Sequence, residues 1–174
     1  LVNQSISYSQ QIPWIQNMTI RDNILFGLDY DEEKYNETIK ICELTRDLEI
    51  LPDKDQTEIG EKGINLSGGQ KARISLARVI YADREMVLLD DPISALDANV
   101  KKKIFENVLL EHLKEKTIIL VTHAIDFLHL VDRIVVFNEG EIVLQGSYDE
   151  IKNDPYLVQL KGIHDGHKEM MTAS

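Results

Sequence analysis

The sequence has little that would cross-link the chain or carry it through a membrane. Cys42 is the single cysteine among 174 residues, which excludes an internal disulfide and favours a reducing, intracellular setting. No apolar run approaches the ~18 residues that a membrane-spanning helix requires. The N-terminal residues lack the apolar core of a signal peptide, and they include no initiator methionine. We therefore expect a piece of a longer protein, cut on its N-terminal side.

Positive charge is also scarce. The chain carries 19 Lys and Arg against 30 Asp and Glu, a net charge of −11, whereas a nucleic-acid-binding surface is expected to be basic. We therefore expect no nucleic-acid partner. Phosphate binding is not excluded, because backbone amides and one metal ion can provide it locally. The hydrophobic content of 43% and charged content of 28% are those of a globular domain long enough to bury its own core.

One common phosphate-binding loop is missing from the sequence. A P-loop needs the pattern Gly-x-x-x-x-Gly-Lys-Ser/Thr, in which backbone amides and a lysine surround the phosphates. No glycine is followed by lysine anywhere in the chain. The chain therefore does not contain this loop.

The most informative stretch that is present is Leu-Ser-Gly-Gly-Gln at 66–70, which a helical pattern follows. Ser67 is a natural N-cap, because its hydroxyl can accept a hydrogen bond from a free amide in the first turn. Gly68 and Gly69 have no side chain, so another group can approach the backbone closely. The amides and dipole of a helix start favour an anion. The pattern predicts either a helix that presents its tip to a phosphate or simply a capped helix after a glycine turn.

A second stretch favours the phosphate interpretation. The apolar residues 86–89 are followed by Asp90, Asp91 and Pro92, which predicts a buried strand whose C-terminal end carries carboxylates. Ligands of open α/β sheets bind at that end. Asp90 can there hold Mg²⁺ through water beside nucleotide phosphates, although a strand-end aspartate can also simply cap a turn.

Together these residues resemble motifs of the ATP-binding cassette (ABC) family. Residues 66–70 are similar to its signature motif, Met86–Asp90 to its Walker B strand, and 94–97 (Ser-Ala-Leu-Asp) to its D-loop. His123, after an apolar strand and Thr122, is similar to its switch histidine, and Gln10 to its Q-loop glutamine. The five motifs occur in the family's order, with helix-length and loop-length gaps, over roughly residues 5 to 150.

The sequence between the motifs looks most like subfamily C, the multidrug-resistance-associated branch, and within it the first nucleotide-binding domain. The stretches that carry this likeness are 14–17, 23–27 and 58–63. The resemblance implies an exporter with ATP and Mg²⁺ as cofactors, located at the cytoplasmic face of a membrane as part of an integral membrane protein. It implies two partners, namely transmembrane domains of the parent chain and a second nucleotide-binding domain.

The resemblance also implies roles for the signature residues. Ser67, Gly68, Gly69 and Gln70 would contact ATP held by the P-loop of the second nucleotide-binding domain, in a head-to-tail sandwich. In the family the P-loop precedes the Q-loop, so in this protein it would lie before residue 1. The chain alone should therefore bind ATP weakly or not at all.

Other roles carry open alternatives. Gln10 would touch Mg²⁺ or its water through its neutral side-chain oxygen, or it is a solvated loop amide. His123 would donate to a γ-phosphate oxygen or position the attacking water, or it caps a helix that begins near Ala124. Trp14 is either a buried anchor or a partner contact, and the family implies a coupling helix as that partner.

Asp91 departs from the family pattern, which has glutamate at this position as general base. The aspartate is one methylene shorter, so its oxygens retreat by roughly 1.5 Å, about the length of a C–C bond. A misplacement of about 1 Å can cost on the order of a hundredfold in rate. We hypothesise that a site using Asp91 binds ATP but hydrolyses it poorly, as first nucleotide domains of subfamily C often do.

The expected fold is α/β of the P-loop NTPase type, a mostly parallel sheet flanked by helices with an inserted helical subdomain and without the part that bears the P-loop. The expected segments are a sheet edge and Q-loop region (1–27), a helical subdomain ending in the signature helix (28–82), a core lobe (83–162) and a mobile tail (163–174). One helix is predicted from residue 32 to about 51, a buried strand at Thr117–Val121, and a hairpin around Asn138-Glu139-Gly140.

Two other functions compete with the exporter. A soluble ABC ATPase of the chromosome-maintenance or DNA-repair kind would have long heptad insertions and basic surfaces, and neither is present in the sequence. A regulatory module that binds ATP only to hold a nucleotide-domain dimer would need no hydrolysis, and Asp91 partly supports it. Phosphate release from the intact parent protein separates this module from the exporter.

Overall fold

The computed structural model describes residues 5–60 and 64–172, with side chains as far as residue 163. It contains two compact units, Leu1–Thr122 and His123–Ser174. The predicted segment boundaries at 27, 82 and 162 differ from this division and stay a prediction. None of the helices within the described ranges has the length and apolarity to span a membrane.

The first unit alternates strands and helices. In chain order it contains β1 (Ile6–Ser9), β2 (Met18–Thr19), α1 (Ile20–Leu25), α2 (Glu32–Ile41), α3 (Thr45–Ile50), a 3₁₀ turn (Lys54–Gln56), β3 (Glu58–Ile59), α4 (Gly68–Ala82), β4 (Met86–Asp90), α5 (Ala98–Ile104), a π-helical segment (Phe105–His112) and β5 (Thr117–Val121). The predicted α/β class is confirmed.

A three-stranded parallel sheet forms the centre of the first unit, in the order β1-β4-β5. Val87 and Leu89 of β4 are buried on one face of the sheet, as the apolar run at 86–89 predicted. The strands β2 and β3 form a separate two-stranded antiparallel sheet.

The opposite face of the parallel sheet is open. Tyr8 of β1 and Ile119 of β5 are 58% and 53% exposed, and both align with Leu88 in the register. Val121 is 56% exposed. The prediction of a buried strand at Thr117–Val121 was therefore wrong, because the strand is exposed on this face and only partly buried on the other. Apolar sequence shows that a strand is suited to burial, but covering both faces of a parallel sheet needs further elements.

The predicted helix from 32 to 51 is two helices. At the end of α2, the Leu44 amide donates to the Ile39 carbonyl at 3.0 Å and the Glu43 amide to that of Lys40 at 3.1 Å. Glu43 adopts a left-handed conformation with φ of 54°, so these bonds form a Schellman motif that ends the helix. Cys42 and Leu44 are fully buried, so the apolar residues continue at helical spacing across the break.

The signature sequence enters α4, a helix of 15 residues. Ile74, Leu76 and Ile80 are almost fully buried, and the helix packs against α1, α2 and β1. Asp83 ends it in a left-handed conformation with φ of 48°. The sequence thus predicted the start of the helix.

The second unit contains a 3₁₀ segment (Ile125–Leu130), β6 (Ile134–Asn138), β7 (Glu141–Gly146), α6 (Tyr148–Ile151) and α7 (Pro155–Thr172). The predicted hairpin is confirmed: β6 and β7 pair antiparallel, and Glu139 and Gly140 have φ of 49° and 83°, as a tight hairpin turn requires. Ile134, Ile151 and Leu157 form its small core.

Residues 164–172 are helical, although a mobile tail was predicted from residue 163. Pro155 is the first residue of α7, and the Asp154 side chain accepts a hydrogen bond from the Tyr156 amide at 2.8 Å. A proline in the first turn and an aspartate before it are strong helix-start signals.

Candidate functional site

The tip of α4 is capped and open to solvent. The Ser67 hydroxyl accepts a hydrogen bond from the Gln70 amide at 3.2 Å, and the Gln70 side-chain oxygen accepts one from the Ser67 amide at 2.9 Å. This reciprocal capping box satisfies two amides of the helix start. Ser67 and Gly68 are exposed, and Gly69 is partly buried. The structure therefore leaves room for a ligand at the tip, as the phosphate interpretation requires.

Asp47 of α3 anchors the first turns of α4, a contact that sequence reasoning did not predict. Its carboxylate accepts a hydrogen bond from the Gln70 side-chain nitrogen at 2.8 Å and one from Arg73 at 2.5 Å. Arg73 also donates to the Glu43 carbonyl. Both ends of the Gln70 amide are thus engaged within the chain, so the predicted ligand residue Gln70 shapes and holds the tip. No local pattern could reveal this contact, because 23 residues separate Asp47 from Gln70.

The two signature glycines lie against the loop at 94–97. A Cβ atom on Gly69 would lie 3.2 Å from the Ala95 carbonyl oxygen and 3.6 Å from Leu96, and one on Gly68 would lie 4.0 Å from the Ala95 Cβ. At Gly69, the close approach that the glycines permit is therefore made by the 94–97 loop of the same chain. Asp97 then caps α5 by accepting from the amides of Val100 and Asn99, and these bonds lower the pKa of Asp97.

Asp91 is held rigidly just beyond the end of β4. It is buried, and its φ of 45° lies in the left-handed region. Its amide donates to the Val121 carbonyl at 2.8 Å, and its carbonyl accepts from the Ser94 amide and hydroxyl at 3.3 and 2.9 Å. A positive φ is uncommon outside glycine but tolerated by aspartate. The backbone at Asp91 is therefore fixed by the sheet on one side and the 94–97 loop on the other.

Gln10 and Asp90 occupy neighbouring positions at the carboxyl edge of the sheet. Ser9 aligns with Leu89 in the parallel register, so Gln10, directly after β1, and Asp90, the last residue of β4, follow at the same edge. Asp90 is partly buried and Gln10 is exposed. Gln10 and Asp91 both line a small cleft, whose other walls include Ser75 and Ser94. The structure thus brings Gln10 and Asp91 to one cleft, and Asp90 precedes Asp91 at the same edge of the sheet.

The oxygen donors at this edge fit a magnesium ion that is bound together with phosphates. Within the described ranges there is no group of three His, Cys, Asp or Glu residues that could hold a metal. Mg²⁺ does not need one, because it keeps several waters and typically binds one or two carboxylates plus substrate phosphates. Asp90 offers one charged oxygen ligand and Gln10 one neutral ligand.

His123 is the first residue of the second unit. Its side chain is exposed, and its carbonyl accepts a hydrogen bond from the Ile125 amide at 3.0 Å. The following 3₁₀ segment has Ala124 at its N-cap and no capping side-chain hydrogen bond. The alternative that His123 caps this helix is therefore wrong, and its role towards phosphate stays a prediction.

Comparison with known proteins assigns the family. The profile of the family described as ABC transporter matches residues 1–94. The chain is 52% identical over 152 residues to multidrug resistance protein mrp-7 of Caenorhabditis elegans, which covers 86% of this chain and 10% of the relative. It is 51% identical over 155 residues to metal resistance protein YCF1 of Saccharomyces cerevisiae, with 88% and 10% covered.

A human relative matches nearly the whole chain. ATP-binding cassette sub-family C member 2 of Homo sapiens is 50% identical over 177 residues, which covers 98% of this chain and 12% of the relative. The chain thus spans 10% to 12% of the length of these curated relatives. These matches agree with the motif order and with the geometry of the α4 tip and the sheet edge. The chain belongs to the ABC transporter family, with the sequence of a subfamily C nucleotide-binding domain.

Proposed function

We propose that this chain is the signature-bearing part of a nucleotide-binding domain, most like the first of its subfamily, that couples ATP binding and hydrolysis to export. The transmembrane domains belong to the parent protein, and the chain works at the cytoplasmic face of the membrane. The observation that carries the proposal is the exposed, reciprocally capped tip of α4, with the 94–97 loop packed against its glycines.

The tip is proposed to bind the phosphates of ATP held by a second nucleotide-binding domain. A capped helix start supplies outward-pointing amides and the positive end of a dipole. Ser67 and Gly68 are exposed, so a partner surface can reach them. Because the chain has no P-loop, the proposal requires that ATP is held mainly by other parts of the assembly.

The sheet edge is proposed as the hydrolytic half of a second, shared site. Asp90 and Gln10 would hold Mg²⁺ through oxygen, and the ion would neutralise phosphate charge when bound. Asp91 would orient and polarise the attacking water as general base. For His123, in the second unit, we propose separately the hydrogen bond to a γ-phosphate oxygen that the resemblance implies. The short Asp91 side chain makes this half slow, which is the hypothesis drawn from the sequence.

The transmembrane contact is proposed at residues 13–18. These residues line an open cavity of about 1000 Å³ together with Ile59, Ile64 and Leu66. Trp14 is 48% exposed at this surface, so of the two sequence-based alternatives, the partner contact is the one that its exposure supports. A short helix from the transmembrane part is the proposed occupant.

One alternative keeps support from a specific observation. The buried Asp91 backbone is fixed by Val121 and Ser94, so the shorter side chain cannot compensate by moving its backbone forward. A domain that binds ATP only to hold a dimer would tolerate this geometry.

Phosphate release and ATP-driven transport by the intact parent protein, purified into lipid vesicles, test the proposal. We expect both activities with Mg²⁺ and neither after its removal by chelation. Nucleotide-dependent dimerisation without phosphate release would favour the non-hydrolysing alternative. A parent protein that shows neither nucleotide binding nor transport would overturn the proposal.

A further inference from the structure

Arg78 of α4 makes a set of contacts that take no part in the proposed binding or hydrolysis of nucleotide. It lies 11 residues, about three helical turns, beyond Ser67. Its guanidinium donates to the Asn23 carbonyl at 2.8 Å, to the Asn23 side-chain oxygen at 3.1 Å and to the Trp14 carbonyl at 3.1 Å. All three acceptors are neutral, and burial lowers the pKa of Arg78. A partly buried guanidinium directed at backbone carbonyls fixes the position of the segment that carries them.

Asn23 completes the link from the other side. Its side chain is fully buried, and its nitrogen donates to the carbonyls of Gln16 and Thr19, both at 3.0 Å. Its oxygen accepts from the Gln16 amide at 2.9 Å as well as from Arg78. The amide thereby uses its two donor hydrogens and both oxygen lone pairs. Residues 14–16 are held at Trp14 by Arg78 and at Gln16 by Asn23.

The same guanidinium supports two exposed aromatic rings. It lies 4.6 Å from the centroid of Phe26 and 5.5 Å from that of Trp14. The two rings meet edge to face at 5.9 Å, and both residues are 48% exposed. A displacement of this aromatic pair must therefore move or break the contacts of Arg78.

We infer that Arg78 is a positioning residue that links segment 14–16 to the signature helix, so that the Trp14–Phe26 surface and the Ser67 tip move together. This inference rests on the proposed function, since it requires nucleotide at the tip. A helix of 15 residues with a buried flank transmits displacement as a rigid body. The three-acceptor geometry needs the planar fork of arginine, and lysine keeps the charge but cannot reproduce the fork.

Hydrogen–deuterium exchange of the intact parent protein, with and without Mg²⁺-ATP, tests the inference. In the wild type we expect nucleotide to slow exchange in peptides covering both 66–70 and 14–16. In Arg78→Lys the slowing at 66–70 should remain, whereas nucleotide should no longer slow exchange at 14–16. For a coupling of the usual size, the exchange rate at 14–16 with nucleotide should then be about 3- to 30-fold higher than in the wild type. Arg46→Lys, at an exposed arginine of α3, is the matched control and should behave as wild type.

A second variant protects the test against a folding defect in the first. Arg78→Met keeps an apolar stem of similar length but has no hydrogen-bond donor for the Trp14 and Asn23 acceptors, so it should uncouple segment 14–16 in the same way. Retained nucleotide protection at 14–16 in either folded variant would overturn the inference while leaving the proposed function intact. Absence of protection at 66–70 in the wild type would instead overturn the proposed function, and the inference with it.

Discussion

At the scale of single residues, the site depends on side chains whose length or absence is fixed by their neighbours. The Asp91 backbone is held in a left-handed conformation by Val121 and Ser94, so the reach of its carboxylate is set by side-chain length alone. A Cβ on Gly69 would make a tight contact of 3.2 Å with the Ala95 carbonyl oxygen, which the absence of a side chain avoids. Each of these two residues therefore makes a prediction that a conservative change can test.

Asp91→Glu in the parent protein should raise hydrolysis at this site. The longer side chain advances the carboxylate by roughly 1.5 Å, and a geometric gain of that size corresponds to about tenfold to a hundredfold in rate. Glutamate at positive φ costs on the order of 1 kcal/mol of stability, a loss that leaves the protein folded. Single-turnover phosphate release is the measurement, with Asp91→Asn as the uncharged control. An unchanged rate would contradict the poor-base hypothesis.

Gly69→Ala should reduce nucleotide-dependent activity of the parent protein by about threefold to tenfold, since a shift of a few tenths of an ångström is smaller than the shift of about 1 Å that costs on the order of a hundredfold. The added Cβ would lie 3.2 Å from the backbone oxygen of Ala95, so either the helix tip or the 94–97 loop must move. Gly162→Ala is the matched control, because nothing lies within 4 Å of its Cβ position and the residue is within α7. Equal activity of the two variants in an ATP-hydrolysis assay would contradict the predicted strain.

At the scale of elements, the orientation of α4 is set by partners distant in sequence. The Asp47 carboxylate of α3 accepts hydrogen bonds from both Gln70 and Arg73. The side chains of Asp47 and Arg73 are 18% and 13% exposed. The pair Lys103 and Glu43 also bridges elements, but the lysine side chain is 47% exposed. Ion pairs screened by water contribute little, so these two bridges should differ in energy.

Asp47→Ala should lower the free energy of unfolding by about 2 kcal/mol, because it leaves a charged donor and an amide without their acceptor. Lys103→Ala should lower it by less than about 1 kcal/mol, as exposed pairs usually do. Urea unfolding of this chain measures both. A loss at Lys103→Ala as large as that at Asp47→Ala would show that the anchoring of the signature helix has been wrongly assigned.

At the scale of the whole molecule, the parallel sheet has one apolar face open to solvent. Ile119 and Val121 are more than half exposed there, whereas both faces of parallel sheets are normally covered. We propose that another segment of the parent protein covers this face. A charge on the open face should then have different effects in this chain and in the parent.

Ile119→Lys should change the stability of this chain by no more than about 0.5 kcal/mol, the usual range for an exposed position. In the parent it would bury an unpaired charge, so the yield of folded protein should fall severalfold, since even 1–2 kcal/mol changes abundance that much. Val158→Lys, at a position 54% exposed on α7, is the control. Normal yield of the Ile119 variant in the parent would exclude a covered face.

The sequence alone determined the features that depend on residues close together in the chain. The cap by Ser67 and the hairpin turn at Glu139-Gly140 involve hydrogen bonds or backbone angles within a few residues. The motif order likewise identified the family before any geometry was known. Local chemistry of this kind leaves a pattern that can be read directly from neighbouring residues.

Only the tertiary structure decided how those pieces are held. Asp47 anchors Gln70 and Arg78 links to Trp14 across 23 and 64 positions of the sequence. The exposure of one face of β5 depends on which other elements cover that strand. The break of the predicted helix at Glu43 was hidden because Cys42 and Leu44 are buried on either side of it. A periodic apolar pattern reports which residues seek burial, whereas their partners are set by packing of distant segments, which leaves no local pattern in the sequence.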